Sequence, residues 1–278
     1  MSSAGPSVTG QISLEERALR VRRTVLEMCR RRGQGYAGQG LALADLLTCL
    51  FFEVMRRDGD GGIRDRFVLS TGHSAIGLFA VLGELGVYDR EELAEYGTDG
   101  SRIEESPLEG TPGFEITGGS LGQGLSQAVG IALGERLLGA DTRVFCLLSD
   151  GELQEGQVWE AAMSAAHHRL GSLTVLVDNN GIQADGATAE VMGVEPVLAK
   201  FESFGFDAAL VDPHDVDALL AALRSSSERP RALVLATIPG RGVPSFETNL
   251  KVHYIRADDE VWKAAIEELT ATAHQASA

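Results

Sequence analysis

Lysine is scarce in this sequence: only Lys200, Lys251 and Lys263 occur, and none precedes residue 200. A Schiff-base mechanism built on the first two-thirds of the chain is therefore excluded. Against 24 lysines and arginines stand 40 acidic residues, a formal net charge of −16. Counterion-release binding of nucleic acid needs a basic face, and no arginine run here is isolated from acids, so nucleic acid is not an expected partner. The three cysteines, Cys29, Cys49 and Cys146, are far apart, form no Cys-x-x-Cys pair and lie in apolar runs. They read as reduced, buried thiols. No basic segment leads into an apolar stretch near the N-terminus, and no uninterrupted apolar run reaches the ~18 residues a membrane span needs. The expectation is a cytoplasmic, soluble protein with no membrane partner. A dinucleotide fingerprint is missing too. Gly119 to Gly124 has the spacing of a phosphate-binding P-loop, but Leu125 stands where that motif requires lysine, so a simple nucleotide-binding module is disfavoured.

What is present is a regular alternation. Residues 1–12 are small and polar and are expected to be disordered, with a single domain over residues 13–273. Ser13-Leu14-Glu15-Glu16 has the form of a capping box, with Leu14, Ala18, Val21 and Val25 following at helical spacing. The glycines Gly33, Gly35, Gly38 and Gly40 end this helix, and Leu41 to Met55 reads as a second, buried one. Four short apolar runs then end in small or polar residues: Arg66–Leu69, Val144–Leu148, Leu173–Val177 and Ala232–Ala236. Helical segments separate them, including Leu125–Leu138 and a last amphipathic helix from Asp258 to about Ala273, with Val261, Ala265 and Leu269 on one face. This pattern predicts an α/β fold, a mostly parallel sheet with helices on both faces. Ligands bind such sheets beyond the carboxyl ends of the strands.

The polar clusters fall at those ends. Asp150-Gly151 follows one strand and Asn179-Asn180 the next, with 27 residues between Gly151 and Asn179, room for one helix and one strand. Adjacent strand tips would bring a carboxylate and an amide oxygen to a single hard cation. Mg²⁺ suits such oxygen ligands, held by one or two side chains plus substrate phosphates. In the competing structural reading, Asp150 caps a helix and Asn179-Asn180-Gly181 is a tight turn.

The Asp-Gly to Asn-Asn interval resembles the thiamine-diphosphate signature. Glu152-Leu153-Gln154-Glu155-Gly156 through Trp159-Glu160-Ala161-Ala162 is similar to transketolases in particular, and the resemblance runs from about Leu14 to Asp259. Ser149 replaces the usual leading glycine. The resemblance implies the diphosphate-binding (PP) domain fold, with thiamine diphosphate and Mg²⁺ as cofactors. Asp150, Asn180 and the Ile182 backbone would hold the metal, and Gly151 would approach the diphosphate. Gly118-Gly119-Ser120-Leu121-Gly122-Gln123-Gly124 resembles the loop that packs on the cofactor rings. His73, after Ser70-Thr71-Gly72, and His253, after Gly240-Arg241-Gly242-Val243 and Lys251-Val252, are similar to family histidines near the diphosphate and substrate. Glu155 matches a carboxylate that meets its counterpart across a dimer interface.

In this family the glutamate facing the pyrimidine ring lies on a separate domain, and the chain stops after the diphosphate domain. The expected partner is a C-terminal transketolase-like subunit in an α₂β₂ heterotetramer. Two substrate histidines of the family pattern are missing. A loop commonly reading Gly-His-Pro-Gly-Gly aligns with Gly35-Tyr36-Ala37-Gly38-Gln39, and a second Gly-His-Pro with Glu105-Ser106-Pro107. Tyr36 and Ser106 then replace two sugar-binding histidines, which implies a modified donor, an unusual ketose or a 2-oxo acid such as pyruvate. The alternatives are the α component of a 2-oxo-acid dehydrogenase and a non-catalytic regulatory subunit.

Overall fold

The computed structural model describes residues 12–276, so the segment expected to be disordered lies, Ile12 apart, outside the described residues. Five strands form one parallel sheet: β1 (Arg66–Leu69), β2 (Val144–Ser149), β3 (Leu173–Asp178), β4 (Asp207–Val211) and β5 (Arg231–Leu235), in the order β1-β2-β3-β5-β4. Every residue of β2 and β3 is buried, because both faces are covered. Val144, Cys146 and Leu148 enter one core, with residues of the Gly124–Leu137, Gly156–His167 and Val197–Ser203 helices. Phe145 and Leu147 enter the other, with the Leu14–Arg32, Ala44–Cys49 and Ala75–Glu84 helices. The period-2 alternation of a strand thus feeds two hydrophobic cores. All three cysteines are free and buried.

Three expectations need correction. The second helix does not run from Leu41 to Met55. The chain forms helices Ala37–Ala42 and Ala44–Cys49 and then a π-turn over Leu50–Val54. Gly38 and Gly40 lie inside the first of these because neighbours crowd them: a Cβ on Gly38 would sit 2.6 Å from the Val252 carbonyl oxygen, and one on Gly40 2.8 Å from Val25. Strand β4 went unseen, since Asp-Ala-Ala-Leu-Val carries little β-signal and the strand lies at the sheet edge, partly exposed. The final helix spans Asp259–Ala276, and its inward face carries Trp262, Ala265 and Leu269, whereas Val261 is 46% exposed. The bulky indole sets that face.

Two features position the loops around the strand tips. Gln34–Gly35 pairs antiparallel with Ile255–Arg256, which brings Tyr36 beside His253 and Tyr254. Buried Asp45 takes both Nη1 (3.0 Å) and Nη2 (2.5 Å) of Arg22 and lies 2.8 Å from Nδ1 of His214. His214 Nε2 accepts the Ile238 N–H at 3.3 Å, so the ring proton is on Nδ1 and is donated to Asp45. This chain of bonds fastens the loop after β5. Burial alone would raise the Asp45 pKa, but Arg22 and His214 outweigh it and hold it at about 2, below the ordinary 3.8. A carboxylate with a lowered native pKa adds stability above its unfolded value, and loses it as pH falls from about 4 to about 2. Asp45→Asn should therefore flatten the stability slope in that window. It should also cost about 3–5 kcal/mol at neutral pH by leaving Arg22 buried without its anion, as read by denaturant unfolding at several pH values.

Candidate active site

Strand pairing sets the centre of the site. Ser149 is in register with Asp178, so the residues that follow, Asp150 and Asn179-Asn180, emerge side by side. Asp150 is 1% exposed. Its Oδ1 accepts the Gly151 N–H at 2.8 Å, and its Oδ2 accepts the Gly181 N–H at 2.9 Å and the Thr188 hydroxyl at 2.8 Å. Burial still raises its pKa despite these donors. Asn180 is held at both ends: Nδ2 donates to Asp178 Oδ2 at 2.9 Å, and Oδ1 accepts the Ile182 N–H at 2.9 Å. Asp178, fully buried and also bonded by the Thr237 hydroxyl, is pushed up to about 6 by burial. Gly181 has φ of 72°, and its left-handed turn folds the Ile182–Gln183 and Gly186–Ala187 hairpin back over the tips.

The glycine loop is held by a second buried carboxylate. Glu152 is 0% exposed and accepts the Gly122 N–H at 2.8 Å, the Ser149 N–H at 3.2 Å and the Ser70 hydroxyl. Ser70 Oγ in turn accepts the Gly124 N–H at 3.0 Å. One side chain therefore ties the tips of β1 and β2 to the loop. The approach is close enough that a Cβ on Gly72 would lie 2.4 Å from the Gly119 nitrogen.

An aromatic cluster forms a further part of the site. His73 and His253 have ring centroids 5.2 Å apart, and Tyr36 lies 5.6 Å from each. Tyr254 meets Tyr36 edge-on at 4.7 Å and donates its hydroxyl to Glu105 at 3.0 Å. Burial, and then His253, pushes the His73 pKa down to about 4, and burial lowers that of His253. Both imidazoles are neutral at pH 7 and act as hydrogen-bonding groups.

These parts enclose a cavity of about 280 Å³. It is lined by Asp150, Gly151, Asn180 and Ile182 and by Tyr36, His73 and His253, together with Gly119, Leu121 and Ser106. No lysine or arginine is among the lining residues, and Asp150 is their single carboxylate. Two of the residues named from the sequence fall outside. Ser120 is exposed and accepts from Gln123, and Glu155 is exposed, with Gly122 packed behind it.

Residues 15–272 match the family described as transketolase, thiamine diphosphate binding domain. The chain belongs to the transketolase family. Among its relatives is an uncharacterized transketolase family protein of Sinorhizobium fredii, 43% identical over 92% of this chain and 94% of the relative. The 6-deoxy-6-sulfo-D-fructose transketolase subunit SqwG of Clostridium sp. is 35% identical, covering 93% and 97%. One of the subunits of the apulose-4-phosphate transketolase of Phocaeicola vulgatus is 31% identical, covering 93% and 94%. The crystal structure of Campylobacter jejuni transketolase superposes with a TM-score of 0.83 at 30% identity. This chain is covered to 95% in that superposition but spans only 43% of the Campylobacter chain.

Membership of the transketolase family makes thiamine diphosphate the group against which the cavity is to be tested. The donors suit a diphosphate-bound hard cation: one carboxylate, one oriented amide oxygen and backbone oxygens. Among the described residues no cluster of three or more His, Cys, Asp or Glu forms a metal cage. Residues that sequence reasoning missed are Asp178, Glu152, Thr188, Thr237 and Gln39. Asp178 and Glu152 lay inside quoted motifs and were legible as strand-end acids. Thr188 and Thr237 carry no local signal, since their roles come from contacts across the chain, whereas Gln39 stood in the aligned loop at the place of a pattern glycine.

Proposed function

We propose that this chain is the diphosphate-binding component of a two-component transketolase, active with a partner polypeptide that supplies the pyrimidine-binding domain. In this reading residues 13–273 act as one domain. Mg²⁺ is held by Asp150, Asn180 and the Ile182 carbonyl, with Gly151 close to the diphosphate. Bound thiamine diphosphate supplies a carbanion-stabilising centre, and this chain binds and orients it. The observation that carries the reading is the meeting of Asp150 and Asn180, on neighbouring strand tips, with His73 and His253 around one cavity. His73 and His253 serve as neutral hydrogen-bonding groups near the diphosphate and donor, and Gly119, Ser120 and Leu121 form the ring-packing loop. Glu155, exposed beside that loop, would meet its counterpart across a dimer interface of an α₂β₂ assembly. A cytoplasmic setting is part of this reading; among the described residues no helix is long and apolar enough to cross a membrane.

The donor is read from Tyr36 and Ser106. Both line the cavity where the family pattern has histidines, and a site lacking its partners for buried hydroxyls discriminates against the usual donor by a large factor. Two relatives are named for unusual sugars, sulfofructose and apulose 4-phosphate, and this supports a non-standard ketose or a 2-oxo acid here. With the reconstituted complex, kcat/KM is expected to be lower for xylulose 5-phosphate and fructose 6-phosphate than for the preferred donor in a panel with pyruvate, sulfofructose and apulose 4-phosphate. A clear preference for xylulose 5-phosphate or fructose 6-phosphate would refute the reading of Tyr36 and Ser106.

A further inference from the structure

Gln39 occupies a position where the Gly-His-Pro-Gly-Gly pattern has glycine, so it carries a side chain that the pattern lacks. It is 3% exposed and lines the cavity. Its Nε2 lies 2.6 Å from Nδ1 of His253. Its Oε1 is buried and has no hydrogen-bond partner among the described residues. Buried amide oxygens are nearly always paired in native proteins, and an exception at a cavity wall calls for a partner that enters the cavity. The other end of the amide has a consequence for His253. A neutral imidazole has one N–H, and an amide N–H donated to Nδ1 leaves that proton on Nε2.

Resting on the two-carbon transfer proposed above, we propose that Gln39 is a specificity-determining residue: Oε1 accepts a hydrogen bond from a hydroxyl of the donor, and Nε2 positions His253 as its Nε2–H tautomer. An acceptor at this place selects a hydroxylated ketose over a 2-oxo acid that lacks a hydroxyl. Tyr36, which packs on the His253 ring edge at 5.6 Å, limits how far that ring can turn away from Gln39.

Hydroxypyruvate and pyruvate are a matched pair of probes, since they differ by one hydroxyl. In the assembled complex, Gln39→Met should lower kcat/KM for hydroxypyruvate by about tenfold or more, because it leaves that hydroxyl unpaired in a buried site. Pyruvate shares any loss that comes from freeing His253 but not the loss of the hydroxyl contact, so its kcat/KM should fall at least about threefold less than that for hydroxypyruvate. Equal losses for both donors, or no loss, overturn the hydroxyl contact. A wild-type complex that processes neither probe nor any ketose sinks the two-carbon reading itself, and the hydroxyl contact with it. The positioning role is read without turnover, from ¹⁵N-histidine spectra of the full chain with His253 assigned by its loss in His253→Asn. The wild type should show Nε2–H, and Gln39→Glu, whose carboxylate requires a donor at Nδ1, should show Nδ1–H. Nδ1–H in the wild type overturns that role.

Discussion

Purified by itself, this chain is expected to give no measurable donor turnover, and activity should appear and saturate as the partner polypeptide is added. The physical reason is the inventory of the cavity. Its one carboxylate, Asp150, already accepts three hydrogen bonds, and its two imidazoles are held neutral by burial. No acid is left over to face the pyrimidine ring, and a positioned proton-transfer group contributes about 10²–10⁴-fold to a rate. Two relatives that match over nearly their whole length are named as subunits, which supports a division of the site between two polypeptides. Steady-state rates against partner concentration test the claim, and light scattering should give the mass of an α₂β₂ complex at saturation. Turnover by the isolated chain would overturn it.

Replacing Asp150 should have the second large effect, and it should separate cofactor binding from folding. Alterations to groups that merely support a metal ligand cost about 10–100-fold in metal affinity. Asp150→Asn removes the only anionic oxygen of the proposed Mg²⁺ site, so calorimetry should show the Mg²⁺-thiamine-diphosphate affinity falling by more than about 100-fold, with activity falling in parallel. Thr188→Val, which removes one hydroxyl bonded to that carboxylate, should fall inside the smaller range. Without cofactor, the melting temperature of Asp150→Asn should shift far less than the cofactor affinity, because two effects oppose one another. The amide NH₂ turns a donor toward the Gly151 or Gly181 N–H, and a buried charge is removed. An ionised carboxylate at 1% exposure is costly, and neutralising it relieves that cost. Unchanged cofactor affinity in Asp150→Asn would remove the basis for the whole site.

Each part of the site left a different trace in the sequence. Four of the five strands were visible because a parallel sheet covered on both faces needs short, continuous apolar runs, and each run ended in a polar cluster. The Ser13 cap was legible as well: its hydroxyl accepts the Glu16 N–H at 3.2 Å, and Gly33 ends the helix with φ of 76°. The interval from Asp150 to Asn180 was readable because one helix and one strand fill it. The helix at Ala37 and the edge strand β4 were not, because Gly38 and Gly40 are present to admit close neighbours, and an edge strand needs little apolar content.

By itself, then, the order of residues determined the fold class, the strand tips that carry Asp150 and Asn180 and the candidate oxygen donors there, since all of these depend on local periodicity and on spacing along the chain. Only the tertiary structure decided which groups are spent on one another. It showed Asp178 and Thr237 orienting Asn180, Glu152 holding the glycine loop, and Gln39 bonded to His253 across 214 residues of sequence. A hydrogen bond has a reach of about 3 Å whatever the separation in sequence, so no local pattern can announce its partner, and the orphaned oxygen of Gln39 becomes visible only once every neighbour is in place.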